Sequence, residues 1–500
     1  MAQGYAERAG RPPRRRPEVG EALVRYGSRS GRWVILAAVL GSGVAFLDST
    51  VVNVALPAIS RDLGGGLAGL QWTVDAYLLT LGSLIIFGGS LGDMYGRRRV
   101  FVMGLASFTL ASVLCGLAPS IQLLIVARAL QGVGGALLVP SSLAIISASF
   151  HPDDRGQAVG AWSGLSGVST AFGPFIGGYL VDSVSWRWVF LINVPLAALT
   201  VWLTLRHVPE TRDEQAPARP DFAGAAAAAL ALGGAVYALI EGPVKGWLER
   251  EVVLAAALAV VAVAVFPALE RRQADPMLPL EVFRSRQFSG ANAVTFAVYG
   301  ALGAAMFTLV VYLQGVLGYS ALEAGSALFP VTLLMLLLSP RVGRLAQRIG
   351  PRWPMTLGPL VAALGLVLMG AVRPGSSYFG DLLPAVVVFG LGLSLTVAPL
   401  TSAVLAGVEQ RHAGIASGVN NAVARLAGLI AVAVVPFAAG ISGGASLAEG
   451  FPRAMLISAA VCALGGVTAA ATIRQSASLR AVIHPHFSHT CHHGEQRRVA

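Results

Sequence analysis

Gly89-Ser90-Leu91-Gly92-Asp93-Met94-Tyr95-Gly96-Arg97-Arg98 returns 254 residues later as Gly343-Arg344-Leu345-Ala346-Gln347-Arg348-Ile349-Gly350-Pro351-Arg352. Gly, Leu, Gly and the final Arg keep one register through both copies. Each copy follows an apolar run long enough to cross a bilayer. A loop that merely gathers positive charge explains the arginines but not the glycine frame, which marks a turn of defined shape. The chain is therefore read as one unit built twice, with the copies closing the second helix of each half. Parallel internal repeats of this kind are a signature of membrane transporters.

Outward from these turns the chain divides into spans. A membrane helix needs about 20 mostly apolar residues. Fourteen stretches qualify, at 33–56, 70–91, 100–118, 121–147, 157–180, 188–206, 222–240, 252–269, 288–313, 323–340, 353–372, 381–406, 413–439 and 454–473. The Ala-rich 222–240 is the weakest, and its alternative is a surface helix that would flip every later loop. The basic residues test the count. With the N-terminus inside, 28 of the 36 Lys and Arg fall on inner segments, six fall outside, and Arg128 and Arg425 lie within helices. Positive loops favour the cytoplasmic side. The expectation is a multi-pass protein of the cytoplasmic (inner) membrane with both termini cytoplasmic. Its parts are a disordered Arg-rich leader (1–32), a six-helix bundle (33–207), two inserted helices with their loops (208–287), a second six-helix bundle (288–473) and a disordered His-rich tail (474–500).

Composition removes other classes. Of the 500 residues 55% are hydrophobic and only 12% charged, about half the charge of a soluble protein. The net charge of +11 sits between apolar runs, so it orients the chain in a membrane and does not imply nucleic acid. No signal-peptide pattern precedes the first span. Cys115, Cys462 and Cys491 are too far apart for a disulfide framework or a metal site. The tail tract His486, His489, Cys491, His492 and His493 has no acidic or cysteine companion, so it reads as biased composition. No nucleotide-binding Gly-rich loop is present. A membrane enzyme would need an acidic metal cluster, and Asp153-Asp154 is just a pair in a short loop. A sensor would need a folded soluble domain, for which the loops at 207–221 and 270–287 are too short.

Ionisable residues inside the spans carry the chemistry. Asp48, in Leu47-Asp48-Ser49-Thr50-Val51-Val52-Asn53, either faces the bundle interior or sits in the headgroup layer. An interior carboxyl costs roughly 2.5–3.5 kcal/mol on insertion scales, and such a group is suited to exchanging protons. Asp75 either shares a cavity with Asp48 or is wet, beside an aromatic belt of Trp72 and Tyr77. Arg128, Gln131, Gly132 and Gly135 share one helix face, where the guanidinium is a coupling group or a structural pin. In the fifth helix Gly160, Gly164, Gly167, Ala171, Pro174 and Gly178 alternate at spacings of three and four, a surface for close approach or sliding.

These motifs together resemble the major facilitator superfamily, in particular its fourteen-helix drug:proton antiporters. The resemblance rests on Leu47–Pro57 in the first helix, Gly89–Arg98, Arg128–Gly135, Gly173-Pro174-Phe175-Ile176-Gly177-Gly178 and Trp186–Pro195, in the expected order. It spans about 33–473 and omits both tails. It implies an all-α fold of two six-helix bundles plus two inserted central helices, rocking about a central cavity. It implies proton-coupled export of amphipathic, often cationic small molecules such as drugs or antibiotics, with a dedicated exporter of one endogenous metabolite or self-made antibiotic as the alternative. Asp48, Asp75, Arg128 and Gln131 are the expected proton and substrate coupling residues. Gly89, Asp93, Gly96, Arg97 and Arg98 are the expected inner gate. Gly164, Gly167, Gly173, Pro174, Gly177 and Gly178 form the expected antiporter helix. Implied partners are a small-molecule substrate, protons and the lipid bilayer, with no nucleic acid, no metal and no cofactor, in a functional monomer. Gln347 stands where the first repeat has Asp93, which puts a charged gate contact in the second half in doubt.

Overall fold

The computed structural model describes residues 23–213, 220–273, 278, 280–408, 413–441 and 446–474, without side-chain surroundings for Ser163, Gly167, Val168, Ala171, Leu280 and 413–415. The leader to residue 22 and the His-rich tract of the tail lie outside this range. Every expected span has its helix. In chain order these are α1 (Arg29–Leu63), α2 (Gly66–Tyr95), α3 (Arg97–Gly116), α4 (Ile121–Ser149), α5 (Pro152–Ser183), α6 (Trp188–His207), α7 (Phe222–Lys245), α8 (Arg250–Arg272), α9 (Arg286–Gly315), α10 (Ala321–Ile349), α11 (Arg352–Met369), α12 (Tyr378–Ala406), α13 (Ala413–Ala438) and α14 (Leu447–Thr472). Thirteen have the length and apolarity of a membrane span, and α5, with 32 residues, lies along α1 as the fourteenth. Among the described residues the β pairing is an isolated bridge, Val24 with Phe150. That bridge ties the end of the leader to the α4–α5 turn, where Tyr26 N–H also donates to Asp154 at 3.1 Å.

Local chemistry sets the ends. Ser28, Ser120, Asp221, Ser285, Ser320 and Ser446 each cap a helix with a side-chain oxygen, and Ser320 and Ser446 form full capping boxes with Glu323 and Glu449. The repeated glycine of the two turns ends α2 at Gly96 (φ 108°) and α10 at Gly350 (φ 87°). Both lie in the region that side chains avoid, which is why Gly recurs there. Helix α6 is interrupted between Leu191 and Asn193 because Pro195 has no N–H for the Leu191 carbonyl. The Ala-rich α7 is a full helix paired with α8: a Cβ at Gly234 would meet the Ala255 carbonyl at 2.5 Å.

The packing repeats as the sequence does. In the first half α1 packs on α5 and α6, α2 on α4, and α3 on α4 and α6. In the second half α9 packs on α13 and α14, α10 on α12, and α11 on α12 and α14. Between the halves α2 meets α13, α5 meets α10 and α1 meets α9, while α7 rests on α2 and α13. Side-chain hydrogen bonds across the seam gather at the end away from the arginine-rich turns. There Gln71 Nε2 donates to the Val432 carbonyl at 2.8 Å, and Gln314 Nε2 to the Val54 carbonyl at 2.9 Å. Asp182 of α5 accepts the Ala321 and Leu322 N–H groups of α10 at 3.1 and 2.8 Å. Toward the arginine-rich end a Cβ at Gly156, Gly160, Gly164 or Gly418 would touch nothing within 4 Å. The halves are joined at one end and part toward the other.

Candidate functional site: a buried charge network in the first half

Asp48 lies 19 residues after the start of α1 and 15 before its end. Its helix runs well beyond the bilayer core, so a residue that looked late in its apolar run is central in its helix. It is 1% exposed. The headgroup placement that the sequence left open is not the one observed.

Arg128 and Gln131 meet Asp48 because α4 approaches its neighbours closely. A Cβ on Gly132 would collide with Thr80 and the Tyr77 carbonyl of α2, and one on Gly134 would sit 2.5 Å from the Phe108 backbone of α3. With no side chains there, Arg128 reaches α1 and α2 together. Its Nη1 donates to Asp48 Oδ2 at 2.5 Å and to Gln131 Oε1 at 2.7 Å, and its Nε donates to the Thr73 carbonyl at 3.0 Å. The guanidinium lies 4.3 Å from the Tyr77 ring centroid. Gln131 Nε2 donates to Asp48 Oδ1 at 2.8 Å and to Ser112 at 3.2 Å. Asn193, at the break in α6, donates to Asp48 Oδ1 at 3.3 Å and to Ser112 at 2.9 Å. Ser112 in turn donates to the Phe190 carbonyl at 2.9 Å, and Cys115 contacts Gln131 Oε1 at 3.6 Å. Five helices thus meet around one carboxylate. Burying an ion pair is expensive unless its remaining donors and acceptors are filled, and here they largely are. A proton gained by Asp48 would remove the charge that draws Arg128, Gln131 and Asn193 together.

Asp75 does not join this network. It is fully buried, and both its carboxyl oxygens lack a hydrogen-bond partner. It shares the α2 face of Gln71, Leu78 and Gly82, which meets α13 at Val432, Gly428 and Leu426. Neither the shared cavity nor the wet belt position describes it; it is sealed in the seam between the halves. Trp72 donates to Glu241 of α7 at 2.8 Å.

The repeated turn is ordered by a contact absent from any motif. Arg97 pairs with Asp93 (Nε–Oδ1 2.8 Å, Nη2–Oδ1 2.7 Å). Glu210, just after α6, accepts the Arg98 and Arg99 N–H groups at 3.0 and 3.2 Å and so caps the N-terminus of α3. Arg98 Nη1 donates to the Val208 carbonyl at 3.1 Å. A Cβ on Gly96 would meet Glu210 at 2.7 Å, and one on Gly89 would meet Pro140 at 3.4 Å. On α5 the residues expected to form the antiporter helix separate into two groups. Gly173 and Gly177 pack on Thr50 and Val51 of α1, Gly178 packs on the first turn of α10, and the Pro174 carbonyl faces Gly325. Gly164 faces open space, and the surroundings of Gly167 lie outside the described residues.

Sequence reasoning gave no role to Asn193, Ser112, Cys115, Glu210 or Asp182. Asn193, two residues before a helix-breaking proline, carried a signal; the others are ordinary in their local sequence.

The sequence matches the model of the Major Facilitator Superfamily over residues 38–432. It is 38% identical to the multidrug resistance protein Stp of Mycobacterium tuberculosis over 82% of this chain and 76% of that one. It is 36% identical to the tetracenomycin C resistance and export protein of Streptomyces glaucescens, over 82% of this chain and 76% of that one. Among solved structures, a POT family transporter in complex with a thioalcohol-conjugated peptide superposes with a TM-score of 0.68 at 14% identity, covering 90% of this chain and 98% of that one, a likeness of fold.

Proposed function

The chain belongs to the Major Facilitator Superfamily as one of its drug-efflux transporters, and from that premise we propose that it exchanges protons for amphipathic small molecules and exports them across the cytoplasmic membrane by alternating access. The observation that carries the proton part is the buried Asp48–Arg128–Gln131–Asn193 network. Protonation of Asp48 frees a buried guanidinium, which then seeks other acceptors and shifts α4 against α1. Asp75 is the second coupling residue in this reading. Its oxygens have no partner, and a bare charge cannot be held there cheaply, so the seam closes on the neutral carboxylic acid and opens when the proton leaves. The seam contacts of Asp182 with α10 and of Gly178 with its first turn close one mouth, and the arginine-rich turns border the other.

One proton crossing 100 mV supplies about 2.3 kcal/mol. At 1.4 kcal/mol per tenfold, that sustains a roughly 40-fold gradient without nucleotide hydrolysis. The test is substrate-induced proton release from inverted vesicles. Wild type releases protons; Asp48→Asn, Arg128→Ala and Asp75→Asn do not. Release preserved in all three variants overturns the mechanism. Export of one self-made antibiotic is the second reading, favoured by the name of the Streptomyces relative. A drug panel in an efflux-deficient host, with and without an uncoupler, separates the two: resistance to many unrelated compounds supports the broad exporter, and resistance to one supports the dedicated exporter.

A further inference from the structure

Arg425 occupies the centre of α13, twelve residues from its first and thirteen from its last. Arginine at that depth is expensive to insert and marks a functional position by default. Arg128, the other mid-helix arginine, is sealed and paired with Asp48. Arg425 is neither: it is partly exposed, and no described carboxylate lies within ion-pair distance. Its guanidinium reaches across the seam to lie 5.5 Å from the Phe46 ring centroid of α1. About one turn toward the arginine-rich end, Asn420 donates to Asn292 at 3.1 Å and Thr295 at 2.6 Å, a polar cluster on the same stretch of α13.

The acids are placed differently. Asp48 spends both oxygens on Arg128, Gln131 and Asn193, and Asp75 is shut into the α2–α13 seam. Among the described residues, the charge that a bound molecule can reach at mid-depth between the halves is positive. We propose that Arg425 is a substrate-binding residue beside the Phe46 ring, and that the site takes planar aromatic molecules bearing a carboxylate or phenolate in preference to cations. This rests on the reading of the chain as an exporter and reverses the cationic preference implied by family resemblance. A planar anion satisfies both features at once: a guanidinium fork recognises a carboxylate, and the Phe46 ring stacks on an aromatic body.

The test uses two dyes with one xanthene core and opposite charge, fluorescein and rhodamine 6G, with fluorescence anisotropy on the purified full chain in detergent at pH 7.5. No gradient is present, so the result is independent of proton coupling and of the vesicle assay. Wild type is expected to bind fluorescein at least tenfold more tightly than rhodamine 6G. Arg425→Gln is expected to lose about tenfold in fluorescein affinity with rhodamine 6G unchanged, Arg425→Lys to keep part of it, and Arg425→Glu to invert the preference. Melting curves identify unfolded variants, and Arg425→Glu decides the charge question if Arg425→Gln does not fold. Tighter binding of rhodamine 6G by wild type, equal losses for both dyes in Arg425→Gln, or binding of neither dye by folded wild type overturns the proposal.

Discussion

Gly134 lets α4 lie against the backbone of Phe108 in α3, and Gly365 lets α11 lie against the backbone of Phe389 in α12, each at 2.5 Å from the position of a missing Cβ. The two halves therefore repeat one scaffold with the same close helix crossing. Their interiors do not repeat. The first half buries Asp48, Arg128, Gln131, Asn193 and Ser112 in one hydrogen-bonded set. The second half fills its interior with Met355, Leu366, Met369 and Phe389, and stacks Tyr312 on Phe451 with ring centroids 3.8 Å apart. Its described mid-helix charge is Arg425, turned toward the seam and away from its own core. The repeated turn diverges likewise: Asp93 pairs with Arg97, whereas Gln347 stands in the copy. Duplication kept the scaffold and let the chemistry concentrate on one side.

The largest effect expected from this contrast is at the charge pair. Arg128→Met leaves Asp48 buried and unpaired, and should destabilise the protein by about 3–5 kcal/mol, measured by unfolding in mixed micelles. Asp48→Leu with Arg128→Met should restore most of that stability, making the first half resemble the second, yet leave substrate-driven proton release absent. A double variant that still couples would break the comparison. Next, Gly134→Val and Gly365→Val should cost similar amounts, about 1–3 kcal/mol each, because both press a side chain into backbone. Unequal losses would show that the scaffold is not shared in energetic terms. Gly178→Val should cost a similar amount, since its Cβ would press into the backbone of Ala321 and Leu322 in α10, and should slow transport at least tenfold because that contact is where the halves join. The smallest effect is at the turns. Glu210→Gln should cost about 0.3–1 kcal/mol through the α3 N-terminus, and Arg352→Gln, with no described ion pair, should stay within about 0.5 kcal/mol.

Much of the fold was legible because a bilayer imposes simple rules: length, apolarity and the sidedness of arginines are read directly from order along the chain. The doubled turn showed the repeat, and Gly96 and Gly350 recur for a reason of local backbone geometry. Asp48, Arg128 and Gln131 were legible as candidate residues because polar groups inside spans are rare. What they touch was not. Asp75 read as either wet or sharing a cavity with Asp48, and its place against α13, more than 350 residues away in sequence, is set by how the halves dock. Glu210 is an unremarkable acid until the segment after α6 folds back over the start of α3. Sequence alone determined which helices exist and which carry charge, since those are properties of one segment and its solvent. Tertiary structure alone decided which charges are paired, which are sealed and which face the seam, because burial and partnership belong to several helices at once.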